Sequence, residues 1–186
     1  AKIVSGLNFI LSRIKKGLFK IDSNAEDIHT VIQNALDKKI GKPGGMLHTA
    51  RSRNDQVSLD TRMYCKKEID SITALLKGLN DSIKSFAKKN IDVIVPGFTH
   101  LQNAQPVLLG HQMLAYCEMF GRDMTRLDDC KKRLDVLPLG SCAISGTSLA
   151  IDRNFTAKEL GFSKVSSNSM DAVSDRDFVI EIISGL

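Results

Sequence analysis

The chain has 186 residues, of which 42% are hydrophobic and 25% charged, an ordinary balance for a soluble globular protein of one domain or pieces of two. Its formal charge of +5 suits a small polyanionic substrate; specific nucleic-acid binding is set aside because the lysines are spread along helical patterns and aromatics are only 5%, too few for stacking platforms. There is no signal peptide and no apolar run of transmembrane length, so no membrane association and a cytoplasmic location are expected. Cys65, Cys117, Cys130 and Cys142 form no Cys-x-x-Cys pair and read as free thiols of a reducing compartment.

Apolar residues at Ile3, Val4, Leu7, Ile10, Leu11, Ile14 and Leu18 predict a first amphipathic helix. Ser23 and Glu26 read as a capping box that opens a second helix, with Ile28, Val31, Ile32, Ala35 and Leu36 on its face. The run Gly41-Lys-Pro-Gly-Gly45 then breaks regular structure. A long helix is expected from near Val57 to near Lys89, its stripe carrying Ile69, Ile72, Leu75, Leu76, Leu79, Ile83 and Phe86. Residues 90–97 read as a connection and Pro106 as the start of the next helix, whose stripe runs through Met113, Tyr116, Cys117, Phe120, Met124, Leu127 and Leu134. A short helix over 156–160 closes at Gly161, and a last helix begins near Asp171. No strand-period segment of useful length competes, so the expected class is all-α, an elongated helical bundle.

The densest chemistry lies in His48-Thr-Ala-Arg-Ser-Arg-Asn-Asp-Gln-Val57, where Arg51 to Asp55 are all polar or charged. Guanidinium forks with amide and hydroxyl donors match carboxylate oxygens, so this run points to a pocket for a substrate with several carboxylates. For Arg51 a structural ion pair is the preferred reading. If the run is extended, Ser52 and Asn54 point one way and Arg51 and Arg53 the other. The words Arg-Ser-Arg-Asn-Asp-Gln resemble the signature segment of argininosuccinate lyases, members of the fumarase/aspartase superfamily. Three further segments are similar to that family's blocks, in its order: Pro96-Gly-Phe-Thr-His-Leu-Gln-Asn-Ala-Gln-Pro106, Leu137-Pro-Leu-Gly-Ser-Cys-Ala143 and Asn168-Ser-Met-Asp-Ala-Val-Ser-Asp-Arg-Asp-Phe178. Ala50 and Cys142 stand where the family usually has glycine, and Asn103 where a basic residue is common. A glycine at 142 would suit a positive φ.

The resemblance implies cleavage of argininosuccinate to arginine and fumarate by proton abstraction and C–N elimination, without a cofactor. It also implies a homotetramer of helical bundles and a place in arginine biosynthesis or the urea cycle. On the same ground, residues 1–55 are the remainder of an N-terminal helical domain and 56–186 the first part of a central helical-bundle domain. His100 matches the family's Thr-His histidine and is the candidate catalytic group. Histidine exchanges protons near neutral pH, and the roles of base, acid or support for a serine elsewhere are all open. Ser52, Arg53, Asn54, Thr99 and Arg176 are carried over as substrate-binding groups; a helix-surface partner for Asp175 or Asp177 is an equal reading of Arg176. Asp27 and His29 are candidates for residues behind the substrate contacts, whereas His48 and His111 read as structural. The four histidines are scattered without ligand spacing, so no metal is expected.

The family's glycine-serine-serine loop leading into Met-Pro-Gln-Lys-Lys-Asn-Pro is absent from the 186 residues, so an internal fragment of a longer lyase is expected, carrying part of a site. Two other readings stand beside it: another lyase of the superfamily, of adenylosuccinate or fumarate type, and a non-catalytic crystallin-like structural protein. Keeping His100 with the polar run of Arg51 to Asp55 argues against a purely structural role.

Overall fold

In a computed structural model, which describes residues 1–186, the chain forms two units, Ala1–Ser52 and Arg53–Leu186. In the first, α1 (Lys2–Lys15) packs on α2 (Ile28–Ile40) through buried Ile10, Val31 and Leu36. Gly6 permits the approach, since a Cβ there would lie 2.6 Å from Leu36 Cδ1. The expected capping box at Ser23 and Glu26 does not form. Residues 22–25 make a turn in which the Asn24 N–H donates to Asp22 Oδ1 and the Ala25 N–H to the Asp22 carbonyl. The cap is Asp27, extended in backbone, whose Oδ1 accepts the Thr30 N–H at 2.7 Å. A 3-10 turn, Lys42–His48, follows Gly41.

The second unit is built on α3 (Arg53–Lys89) and α4 (Leu109–Leu134), which run antiparallel. Ile69, Leu127, Cys130, Leu134 and Phe178 form its core. Lys66 with Asp135, and Lys131 with Asp70, pair across the two helices. α3 begins at Arg53, four residues before its expected start, so Arg53 and Asn54 belong to its first turn. The reading of 51–54 as an extended run is overturned there: helical residues are not related by a two-residue period.

Residues 90–108 also differ from expectation. β1 (Ile94–Thr99) and β2 (Gln102–Leu108) form an antiparallel hairpin, and α4 starts only at Leu109. Pro106 opens no helix; it faces Pro96 across the ladder, with a bulge between Pro96 and Phe98. A ladder of two strands has only edges, so prolines without an N–H are tolerated. Both strands are mostly exposed, which removes the alternation of apolar and polar residues that would have revealed them.

After α4 come β3 (Val136–Leu137), α5 (Arg153–Glu159) and β4 (Lys164–Val165), with β4 parallel to β3. Leu59, Leu137, Ala157 and Phe162 form a second buried cluster. The single last helix expected from Asp171 is two helices, α6 (Ser169–Ser174) and α7 (Asp177–Ser184). Asp175 separates them: its Oδ2 takes the Arg62 guanidinium at 2.5 Å, and its Oδ1 accepts the Asp177 N–H at 2.8 Å. No helix is long and apolar enough to cross a membrane.

Candidate active site

The first turn of α3 meets the loop that follows β3. Asn54, exposed, donates from Nδ2 to the Ala143 carbonyl at 2.9 Å. Asp55, wholly buried, accepts on Oδ2 the N–H groups of Gly140 at 2.9 Å and Cys142 at 2.8 Å. Arg53 reaches Gln56 Oε1 at 2.6 Å. A helix start adds a positive dipole end and outward N–H groups, so this corner favours anions.

The loop's path needs unusual backbone. Gly140 has φ 93°, and Cys142 has φ 52°, a left-handed conformation at the position where the resembled family has glycine. Burial, and then the charge of Asp55, push the Cys142 thiol above its ordinary pKa. Arg153 props the far side of the loop, donating from Nε to the Leu139 carbonyl at 3.0 Å and from Nη2 to Ser166 Oγ at 2.8 Å. Burial lowers its pKa from the ordinary guanidinium value. Ser58 Oγ donates to the Ala172 carbonyl at 2.8 Å, and Arg62 binds Asp175 and the Leu134 carbonyl, tying α3 to the elements beside it.

Thr99 and His100 lie at the exposed hairpin end. His100 and Leu101 have φ of 52° and 63°, the two left-handed residues of a tight two-residue turn. Arg176, half-buried, donates from Nη1 to the carbonyls of Asp175, at 2.6 Å, and Val173, at 3.3 Å, so it closes the end of α6. Asp27, His29 and Ser52 belong to the first unit, where Asp27 caps α2 and His29 sits in that helix's first turn. His48 Nδ1 lies 3.4 Å from Arg51 Nη2.

Within the second unit the candidates fall into two groups. Asn54 stands at the start of α3, and His100 lies beyond its other end. A 37-residue helix is about 55 Å long at 1.5 Å per residue. The strand leading to His100 covers about 20 Å, so even folded straight back the tip stays roughly 35 Å from Asn54. Sequence reasoning missed Asp55 as the loop's anchor, and the buried Arg62 and half-buried Arg153 as struts. Only Asp55 had a signal, its place inside the dense polar run. No group of three or more His, Cys, Asp or Glu side chains is arranged to hold a metal ion.

Long antiparallel helices joined by an exposed hairpin, with a polar turn at the start of the first, define a helical-bundle protein of the lyase class. The chain belongs to the Lyase family, whose model matches residues 1–186. Among its relatives it is 53% identical over 182 residues to the argininosuccinate lyase of Moorella thermoacetica and 52% identical over 182 residues to that of Pelobacter propionicus. Each match covers 98% of this chain, but 39% and 40% of the respective relatives, so the chain spans about 40% of their length. A variant of EDDS lyase solved with bound fumarate matches 99% of this chain and 36% of its own, with a TM-score of 0.85 at 25% identity. EDDS lyase in complex with formate gives a TM-score of 0.83. The fold is part of the fumarase/aspartase helical bundle.

Proposed function

We propose that this chain supplies part of an argininosuccinate lyase active site, which splits argininosuccinate into arginine and fumarate. The observation that carries the reading is the polar first turn of α3, Arg53 and Asn54 beside a loop fixed by Asp55, in a chain about half identical to argininosuccinate lyases over nearly all its length. Those relatives favour this substrate over adenylosuccinate or fumarate, and over a structural role.

The reaction takes a proton from the carbon next to a carboxylate and expels a guanidinium nitrogen from the adjacent carbon. Ser52, Arg53, Asn54, Thr99 and Arg176 hold the substrate, hydrogen-bonding its carboxylates and its arginine end. His100 handles the proton, either at the substrate or through another residue that acts as base. Asp27, which caps α2, and His29, in the first turn of that helix, have a supporting role rather than a substrate contact. A small molecule cannot touch both Asn54 and His100 of one chain across roughly 35 Å. Each site therefore combines groups from different copies, which fits a homotetramer. The setting is cytoplasmic arginine synthesis.

The test is a chimera in which this chain replaces the matching segment of the Moorella thermoacetica relative. Release of fumarate from argininosuccinate, with a tetramer mass in solution, is expected. A folded, tetrameric chimera that leaves argininosuccinate untouched would refute the reading. The 186-residue polypeptide alone, which spans about 40% of the relatives' length, is expected to show no turnover.

A further inference from the structure

We propose that Asp55 is a positioning residue whose buried carboxylate clamps the loop of residues 140–143 onto the first turn of α3, and so sets Arg53 and Asn54 for the substrate's carboxylates. The inference rests on the function proposed above.

Asp55 is 0% exposed, and a buried carboxylate is costly unless donors satisfy it. If its task were only to oppose the helix dipole, a solvated acid would serve as well. Instead a single oxygen collects two backbone N–H groups, from Gly140 and Cys142. These are charge-assisted bonds, stronger than neutral ones. The neighbouring Asn54 takes the next free group of the same loop, the Ala143 carbonyl. Two successive residues of α3 therefore grip both the donors and the acceptor of one loop.

The loop has little freedom to adjust. Gly140 and Cys142 are left-handed, the Gly146 N–H donates to the Ser141 carbonyl at 2.8 Å, and Ser141 is wholly buried. A Cβ on Gly140 would lie 2.9 Å from the Arg153 side chain. Loosening the clamp therefore frees the side chain of Asn54, which shares the loop, and the helix start that carries Arg53.

The test uses two readouts. On the 186-residue chain, alkylation of Cys142, followed by mass spectrometry, reports loop release without reference to any substrate. Asp55→Ala should raise that rate about ten-fold and saturating formate should lower it again, by filling the vacated anion nest. Asp55→Asn, which keeps an oxygen for both N–H groups, should label like the parent. In the chimera described above, Asp55→Ala should raise KM for argininosuccinate at least about ten-fold with kcat little changed, the signature of lost uniform binding. Asp55→Asn should restore KM to within about three-fold of the parent.

Gly140→Ala attacks the clamp from the loop side. It should reproduce both effects, and it tests the idea if Asp55→Ala does not fold. Unchanged Cys142 labelling in the folded variants would overturn the clamp. Faster labelling with parental KM and kcat would overturn the positioning role, as would a fall in kcat alone that Asp55→Asn fails to rescue. An inactive parent chimera would count against the proposed function instead, and would be seen before any variant is made.

Discussion

His100 is placed by its backbone: it occupies the first left-handed position of a two-residue turn, next to Leu101, which is 99% exposed. His100 is exposed there, which on the function proposed above leaves it open to a molecule bound by another copy. In the active chimera, His100→Asn is expected to lower kcat by at least about 10²-fold, since asparagine keeps a polar side chain but cannot exchange a proton near neutral pH. Parental turnover by that variant would remove His100 from the chemistry. Asn54→Ala should lower kcat/KM by an amount corresponding to about 1.5–3 kcal/mol, as expected for a lost hydrogen bond to a charged ligand. Because Asn54 is exposed, the melting temperature should change little; a clear fall with unchanged kcat/KM would make its role structural. Both residues were legible as motif words in the sequence. What Asp55 does was not, because its partners lie 85 and 87 positions away in the chain and are backbone N–H groups, which no residue identity reveals.

Among the elements, α1, α3 and α4 were readable because a buried stripe repeats at the helical period, with Ile10, Ile69, Cys117, Leu127 and Leu134 all buried. The hairpin was not, because almost nothing in it is buried and Pro106 reads as a helix start. Its geometry depends on Gly97 at the bulge, where a Cβ would meet the Gln105 carbonyl at 2.6 Å and Val107 Cγ2 at 2.8 Å. Gly97→Ala should therefore cost about 1–3 kcal/mol of local stability, read as faster amide exchange at Val95 and Val107, with α4 unaffected. Packing of α4 on α7 carries a pH signature. Burial, helped by the nearby Glu181 carboxylate, raises the Cys130 thiol to about 11. A raised folded pKa favours the neutral thiol, so this contribution is complete below the ordinary thiol range and is lost as pH rises from about 9 to about 11. Stability measured in denaturant should fall across that window, and Cys130→Ala should flatten the fall. An equal slope in the variant would exclude the thiol as its origin.

At the scale of the whole molecule, the stripes that identified the helices are wider than the second unit buries: Leu75 is 74% exposed, Phe86 47% and Tyr116 43%. Assembly would cover such faces, and on the function proposed above the separation of Asn54 from His100 calls for groups from more than one copy. Two differently crippled chains should then repair one another. At argininosuccinate well below KM, chimeras carrying His100→Asn and Asn54→Ala are each expected to keep about a tenth of the parental rate or less. Dissociated, mixed and reassembled, they form tetramers in which some sites draw His100 from one kind of copy and Asn54 from the other. With random mixing at equal amounts, about a quarter of the sites receive both parental groups, so activity should recover toward about a quarter of the parent's. If instead one chain supplied both groups to a site, no combination could restore it, and mixed tetramers verified by mass would stay at the rate of the separate variants. That result would return both residues to a single chain, against the roughly 35 Å that the length of α3 puts between them.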